Sequence, residues 1–328
     1  MSLVRHTSKK IAQGFFVIII SISIIFFLIN LAPGDPIQFV AGDPIFLSKE
    51  LVDYYRKMWG LDKPLYERFL IYLSNVFLRG DLGYSYRYSA PVIELIKERL
   101  PVTLLLTVVS NVLAFILGVA LGLYASRKYT KLSDNLLSLV SFILNSTPTF
   151  LLGIVLMLAF SIHLKIFPVS GLIDVRNPKT GFMYYFDILY HSVLPIATLT
   201  FVLLPMYFKV VRDTALQQLG EDYVILCRAI GLDEGRIFKK HIFRNSILPP
   251  ITLFMLQLGY SVAGAAITET VFGWPGVGRL LLDAIYQRDY PVILGVYLLV
   301  SISIVALSII ADLVYTILDP RIKTGGAS

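Results

Sequence analysis

An all-α protein that crosses a membrane six times is the fold class this sequence predicts, and three observations predict it. The chain is 56% hydrophobic and 16% charged, with a mean hydropathy of +0.73. Soluble domains carry roughly a quarter charged residues. Six apolar stretches are each long enough to form a spanning helix, which takes about 20 residues. The loops between them alternate in character, and every short loop on the inner side carries clustered Lys or Arg, as the positive-inside rule requires. The formal charge of +7 belongs to those loops. No basic domain stands apart from the spans, which excludes nucleic acid as a partner.

The elements follow in order. Residues 1–10 carry Arg5, Lys9 and Lys10 and read as a cytoplasmic N-terminus. The apolar run 11–31 is too long for a signal-peptide core, and Ala32 to Pro36 (APGDP) follows where a small-x-small cleavage site would stand. It therefore reads as a retained first span. Residues 32–99 form a long polar segment with nearly balanced charge and amphipathic pieces near 49–59, 65–77 and 92–100. Long loops cross membranes largely regardless of charge, so this region is expected outside.

The remaining chain, 100–323, reads as a core of five spans, with a tail at 324–328. The second span covers 100–124, where Gly118 and Gly122 form a small-xxx-small pair. Arg127, Lys128 and Lys131 place the next loop inside. The third span covers 136–164 and holds Asn145 to Pro148 (NSTP), which predicts a packed kink. A second outer loop, 166–187, leads to the fourth span, 188–211. The fifth span covers 247–268, its second half rich in Gly259, Ser261, Ala263, Gly264, Ala265 and Ala266. An outer segment, 269–290, precedes the sixth span, 291–318, and both termini fall on the cytoplasmic side. Glu269 and Asp312 are the acids within reach of the membrane. Both lie within about two turns of a predicted helix end, where water or a lysine is expected to reach them.

The stretch 221–250 stands out from this apolar background. It is basic, with Lys209 and Arg212 beside it and Arg228, Arg236, Lys239, Lys240 and Arg244 within it. Tyr223, Leu226, Ile230 and then Ile237, Phe238, His241, Ile242 recur at helical steps around Gly231. The spacing predicts two short amphipathic helices joined at that glycine, in a cytoplasmic loop over 212–246. Its apolar stripe has no obvious core of its own, which points to a docking surface for a soluble partner.

Catalytic chemistry finds no footing in the sequence. The single cysteine, Cys227, excludes an internal disulfide, and His6, His163, His191 and His241 lack metal-ligand spacing. No G-x-x-x-x-G-K-[ST] run occurs, so the usual phosphate-cradling loop is missing. The chain is expected to be non-catalytic, with no cofactor or metal of its own. An ion-coupled secondary transporter is the alternative from another class. It would need a midplane ion site or inverted repeats, and neither is evident.

The order of short motifs resembles a known family. Ala32 to Pro36, Gly60 to Tyr66 (GLDKPLY), Gly80 to Gly83 (GDLG), Arg99 to Pro101, Glu221 to Val224 with Arg228 to Leu232, His241 with Arg244 and Asn245, Leu248 and Pro249, Glu269 to Gly276 (ETVFGWPG), Arg288 to Pro291 (RDYP) and Asp319 to Arg321 succeed one another along the whole chain. This is similar to permease subunits of binding-protein-dependent ABC importers, in the dipeptide/oligopeptide/nickel branch, first-permease type. Ile225, Leu226 and Cys227 stand at the E-A-A places of the general loop motif, and Ser246 stands at the isoleucine of I-x-L-P.

The resemblance implies a type I importer permease fold in a prokaryotic inner or plasma membrane. It implies a second homologous permease subunit, two cytoplasmic ATPases that carry ATP and Mg, and an extracytoplasmic solute-binding protein. It makes the loop a coupling helix, with Gly231 at the turn, Ala229, Ile230 and Leu232 as apolar contacts, and Glu221, Asp222, Arg228 and Arg236 as flanking polar contacts. Di- or oligopeptides are the expected cargo, with nickel chelates or oligosaccharides as the other substrates of this class.

Overall fold

The computed structural model describes residues 3–31, 37 and 49–318, with side chains for 10–31, 37 and 49–311 of these. The APGDP motif, Asp319 to Lys323, the 324–328 tail and the side chain of Asp312 lie outside the described residues. The regular structure of the described residues is helical, their one β feature being an isolated bridge between Tyr84 and Pro91.

In chain order the helices are α1 (Leu3–Leu31), α2 (Lys49–Met58), α3 (Leu65–Ser74), α4 (Val92–Arg127), α5 (Leu132–Ser146) and α6 (Thr149–His163). Then come α7 (Phe182–Leu219), α8 (Asp222–Ala229), α9 (Glu234–Ser246, with a π turn at Phe238–Ile242), α10 (Leu248–Tyr260), α11 (Ala266–Val271), α12 (Val277–Gln287) and α13 (Tyr290–Leu318). Among the described residues four helices are long and apolar enough to cross a membrane, and six spans result if each bent pair, α5–α6 and α9–α10, counts as one.

Several boundaries differ from those the sequence predicts. Helix α4 begins at Val92, so residues 92–99 belong to it and not to a loop. Pro101 is the tenth residue of this helix, so the helix continues through a proline that leaves the Lys97 carbonyl without its usual i+4 donor. Helix α7 runs to Leu219, so 212–219 are the end of a rod and the loop proper opens at Gly220. At 38 residues α7 is about 57 Å long, well beyond the roughly 30 Å of hydrocarbon, so its ends project.

The NSTP break is far sharper than a kink. Thr147 is extended at its backbone, and α5 and α6 meet at 104°. The predicted fifth span is also not continuous. Helix α10 stops at Tyr260, one 3-10 turn follows at Ser261–Ala263, and Gly264 at φ +75° lets the chain turn before α11.

The residues fall into two compact units. One lies within Met1–Thr103, Val262–Ala266 and Pro275–Ala306. Its core joins Val92, Leu95 and Ile96 of α4 to Val277, Leu280 and Ala284 of α12 and to Val292, Ile293 and Val296 of α13. A smaller cluster sets Ile22 of α1 against Val76 and Leu298. A buried carboxylate closes the turn between α12 and α13. Asp289, 1% exposed, accepts from Ser85 Oγ and from the backbone N–H groups of Tyr86 at 3.1 Å and Arg87 at 3.2 Å. The GDLG and RDYP motifs, 200 residues apart in sequence, thus sit side by side, with Gly83 against Pro291.

The other unit lies within Leu104–Ser261, Ile267–Trp274 and Leu307–Ser328. Here α4 and α7 approach backbone to backbone. A Cβ on Gly118 would lie 2.5 Å from the Tyr207 Cβ, and one on Gly122 would lie 2.8 Å from the Phe208 carbonyl oxygen. The glycine pair therefore packs as the sequence predicts. Polar side chains between these helices are paired, as a medium without water demands. Tyr207 donates to Asn111, whose amide reaches the Phe254 carbonyl at 3.4 Å, and Ser110 donates to the Leu106 carbonyl at 2.7 Å. Glu269 overturns its sequence reading. It is fully buried on α11 (0% exposed), inside a turn closed by the Trp274 N–H to the Glu269 carbonyl at 2.7 Å.

Candidate functional site

The basic insert folds as its spacing predicts, into two short helices around a glycine turn. Helix α8 ends where Gly231, at φ +81°, reverses the chain. The Gly231 N–H donates to the Arg228 carbonyl at 3.0 Å and the Leu232 N–H to the Cys227 carbonyl at 3.1 Å. These two bonds satisfy carbonyls left over at the helix end, and the left-handed residue they require is most easily glycine. Asp233 then caps α9, accepting from the Arg236 N–H at 3.2 Å. Arg228 reaches across the turn to Glu234, with Nε 2.6 Å from Oε1. The hydrogen bond to that carboxylate raises the guanidinium's pKa above its ordinary value.

The insert does have a core, contrary to the sequence expectation. Val224, Ile237, Phe238 and Ile242 are buried with Ala215 of α7, and Leu123, Leu219, Tyr223, Cys227 and Leu232 pack around them. Leu232 is therefore half-buried against this core. The stripe that remains outside is Ile225, Leu226 and Ile230, at 56%, 62% and 67% exposure, with Ala229 also exposed. Glu221, Asp222, Arg228, Gly231 and Arg236 are exposed beside it. Six of the eight sequence-selected residues plus Ile230 thus share one exposed turn, and the eighth lies beneath it. Leu226 stood on the apolar stripe of the sequence but not among the selected contacts, its i, i+4 spacing to Ile230 being the signal; Ile225 was not singled out.

Side-chain bonds fix this turn to the body of its unit. Arg127 at the end of α4 lies over the Phe238 ring, 4.1 Å from its centre. Thr214 donates to the Ser246 carbonyl at 3.2 Å, and Tyr223 donates to Gln218 at 2.8 Å. Nearby, Arg212 grips the buried Asp134 with two bonds, at 2.6 and 2.9 Å. The turn is thus packed against the ends of α4 and α7, and Arg212 of α7 ties in α5.

Long apolar helices with a basic, glycine-broken turn between them mark a membrane protein with one polar insert. The comparisons with known proteins agree. Residues 118–324 match the family described as binding-protein-dependent transport system inner membrane component, and residues 3–107 match that family's N-terminal region. The dipeptide transport system permease protein DppB of Escherichia coli (strain K12) is 35% identical over 315 residues, covering 91% of this chain and 92% of that one. The oligopeptide transport system permease protein AppB of Bacillus subtilis (strain 168) is 37% identical over 324 residues, 98% of each chain. The di/tripeptide transport system permease protein DppB of Pseudomonas aeruginosa (strain UCBPP-PA14) is 36% identical over 312 residues, 91% of this chain and 92% of that one.

The chain belongs to the binding-protein-dependent transport system inner membrane component family. It is a multi-pass permease subunit of an importer of the ABC class.

Proposed function

We propose that this permease carries di- or oligopeptides and couples to a cytoplasmic ATPase through the turn centred on Gly231. The cargo reading rests on the peptide transport named for its relatives. The coupling reading rests on one observation above others: Ile225, Leu226 and Ile230 stay exposed on a turn whose other large apolar residues pack against its own core. In this reading the chain is the non-catalytic half of the translocation pathway. A second permease subunit completes the pathway, two ATPases hold ATP and Mg, and an extracytoplasmic binding protein delivers the peptide. ATP-driven closure of the ATPases displaces the turn as a rigid body, and the helix ends behind it follow.

The test is Gly231→Arg. A Cβ at Gly231 meets nothing within 4 Å, so a side chain there costs the strain of its positive φ but no clash within the chain. The variant should reach the membrane at near wild-type levels, lose co-purifying ATPase subunits and lose uptake of a labelled dipeptide. Full uptake by the variant removes the coupling assignment. Uptake that persists without ATP and follows an ion gradient removes the importer mechanism as well.

A further inference from the structure

Within the first unit, a cavity of about 330 Å³ opens beside the end of α1 farthest from the N-terminus. Its walls are apolar and aromatic: Phe26 and Ile71 on one side, Leu82, Tyr86, Tyr290 and Leu294 on the other, with Trp59 stacked on Tyr86 at 4.2 Å between centres. Its charged lining residues are all cations: Lys57, Lys63 and Arg68. Lys63 is tied to Glu67 at 3.0 Å, whereas Lys57 and Arg68 form no ion pair with a described residue. Two buried polar atoms on lining residues also lack a hydrogen-bond partner, Asn30 Oδ1 and the Tyr72 hydroxyl. Burial pushes the Tyr72 phenol far above the ordinary tyrosine value, so its proton stays available to donate.

Unpaired buried polar groups are rare because each costs about 1–3 kcal/mol, and two on one cavity call for an occupant. The occupant must accept hydrogen bonds, carry negative charge and tolerate aromatic walls. It must also reach the cavity from an apolar side, because α1 presents Phe27, Leu28 and Leu31 outward beside the lining residues Phe26 and Asn30. A soluble anion satisfies the first two demands and leaves the walls bare.

We propose that this recess is a phospholipid site. The phosphodiester headgroup lies between Lys57 and Arg68 and accepts a hydrogen bond from the Tyr72 hydroxyl. A glycerol hydroxyl donates to Asn30 Oδ1. The acyl chains run along the exposed face of α1. The lipid would hold α2 and α3 against the end of α1, a role separate from the turn at Gly231 and from the choice of cargo.

The experiment is native mass spectrometry of the full-length chain in the complex with which it purifies. The complex is stripped of lipid with detergent and titrated with dioleoylphosphatidylglycerol, with dioleoylglycerol or with inorganic phosphate. The wild type should retain one tightly held phosphatidylglycerol that dioleoylglycerol does not displace. Lys57→Ala with Arg68→Ala should weaken that binding about thirtyfold, roughly fivefold for each cation near a lipid surface. Tyr72→Phe, which preserves the wall, should weaken it by a smaller factor, and Lys97→Ala, outside the cavity, should leave it unchanged. Equal retention in the wild type and the double variant overturns the site. Displacement by dioleoylglycerol overturns the phosphate recognition. Displacement by inorganic phosphate at millimolar concentration overturns the lipid in favour of a free anion.

Discussion

The clasp around Asp289 and the turn around Gly231 are both short polar connections between helices, and they are finished in opposite ways. At Asp289 the charged group itself is buried. One buried carboxylate takes three donors, Tyr86 packs on Trp59, and Tyr290 lies on the core of its unit. At Gly231 the polar partners are outside, with Arg228 and Glu234 paired in solvent, and three large apolar side chains are exposed next to them. The first connection satisfies its buried charge within its own chain. The second keeps its charges outside and leaves a compact aliphatic stripe uncovered, which is the surface the proposed coupling uses.

The comparison can be broken most forcibly at Asp289. Asp289→Ala leaves three donors without an acceptor, each costing about 1–3 kcal/mol when buried. It should destabilise the unit by about 3 kcal/mol or more and make residues 84–88 a site of protease cleavage. Asp289→Asn, which keeps an acceptor oxygen, should recover about half of that loss by thermal unfolding in detergent. Unchanged stability in both variants would mean the clasp is ornamental.

At the turn the sign of the expected result reverses. Ile225→Asp with Ile230→Asp should leave thermal stability within about 0.5 kcal/mol, since exposed positions away from the core tolerate change. The same variant should abolish ATPase co-purification and uptake. If it unfolds the chain instead, the outer stripe is part of the core after all. Gly231→Ala is a smaller test. A side chain at φ +81° costs roughly 1–2 kcal/mol, with no clash to add to it. Smallest of all is Arg228→Gln. An exposed ion pair contributes less than about 1 kcal/mol, so the loss should be slight and should vanish in high salt. A larger, salt-insensitive loss of coupling would place Arg228 against a partner's charge.

Much of this was legible in the primary structure because apolar length and positive charge act locally. The spans, the glycine pair Gly118 and Gly122, and the two helices flanking Gly231 all follow from residues within a few turns of one another. What escaped depends on tertiary position. Periodicity placed Leu226, Ile230 and Ile237 on one stripe, yet Ile237 turns inward and the other two outward, because Gly231 changes the axis between them. Asn145 to Pro148 announced a break but not its angle, which is set by how α5 and α6 pack. Glu269 looked accessible from its distance to a helix end, whereas α10 stops early at Tyr260 and Glu269 is buried on α11. The Asp289 clasp needs partners some 200 residues away, which no local pattern can supply.

Gly118 and Gly122 have a mechanical consequence. Where two helices touch backbone to backbone, they cannot slip past each other, because a slide of one turn, about 5.4 Å, would set a larger side chain where only hydrogen now fits. Helices α4 and α7 are therefore locked against sliding along this contact. Tolerated substitution should accordingly be least at Gly118 and Gly122, where any side chain would meet the facing helix at less than 3 Å.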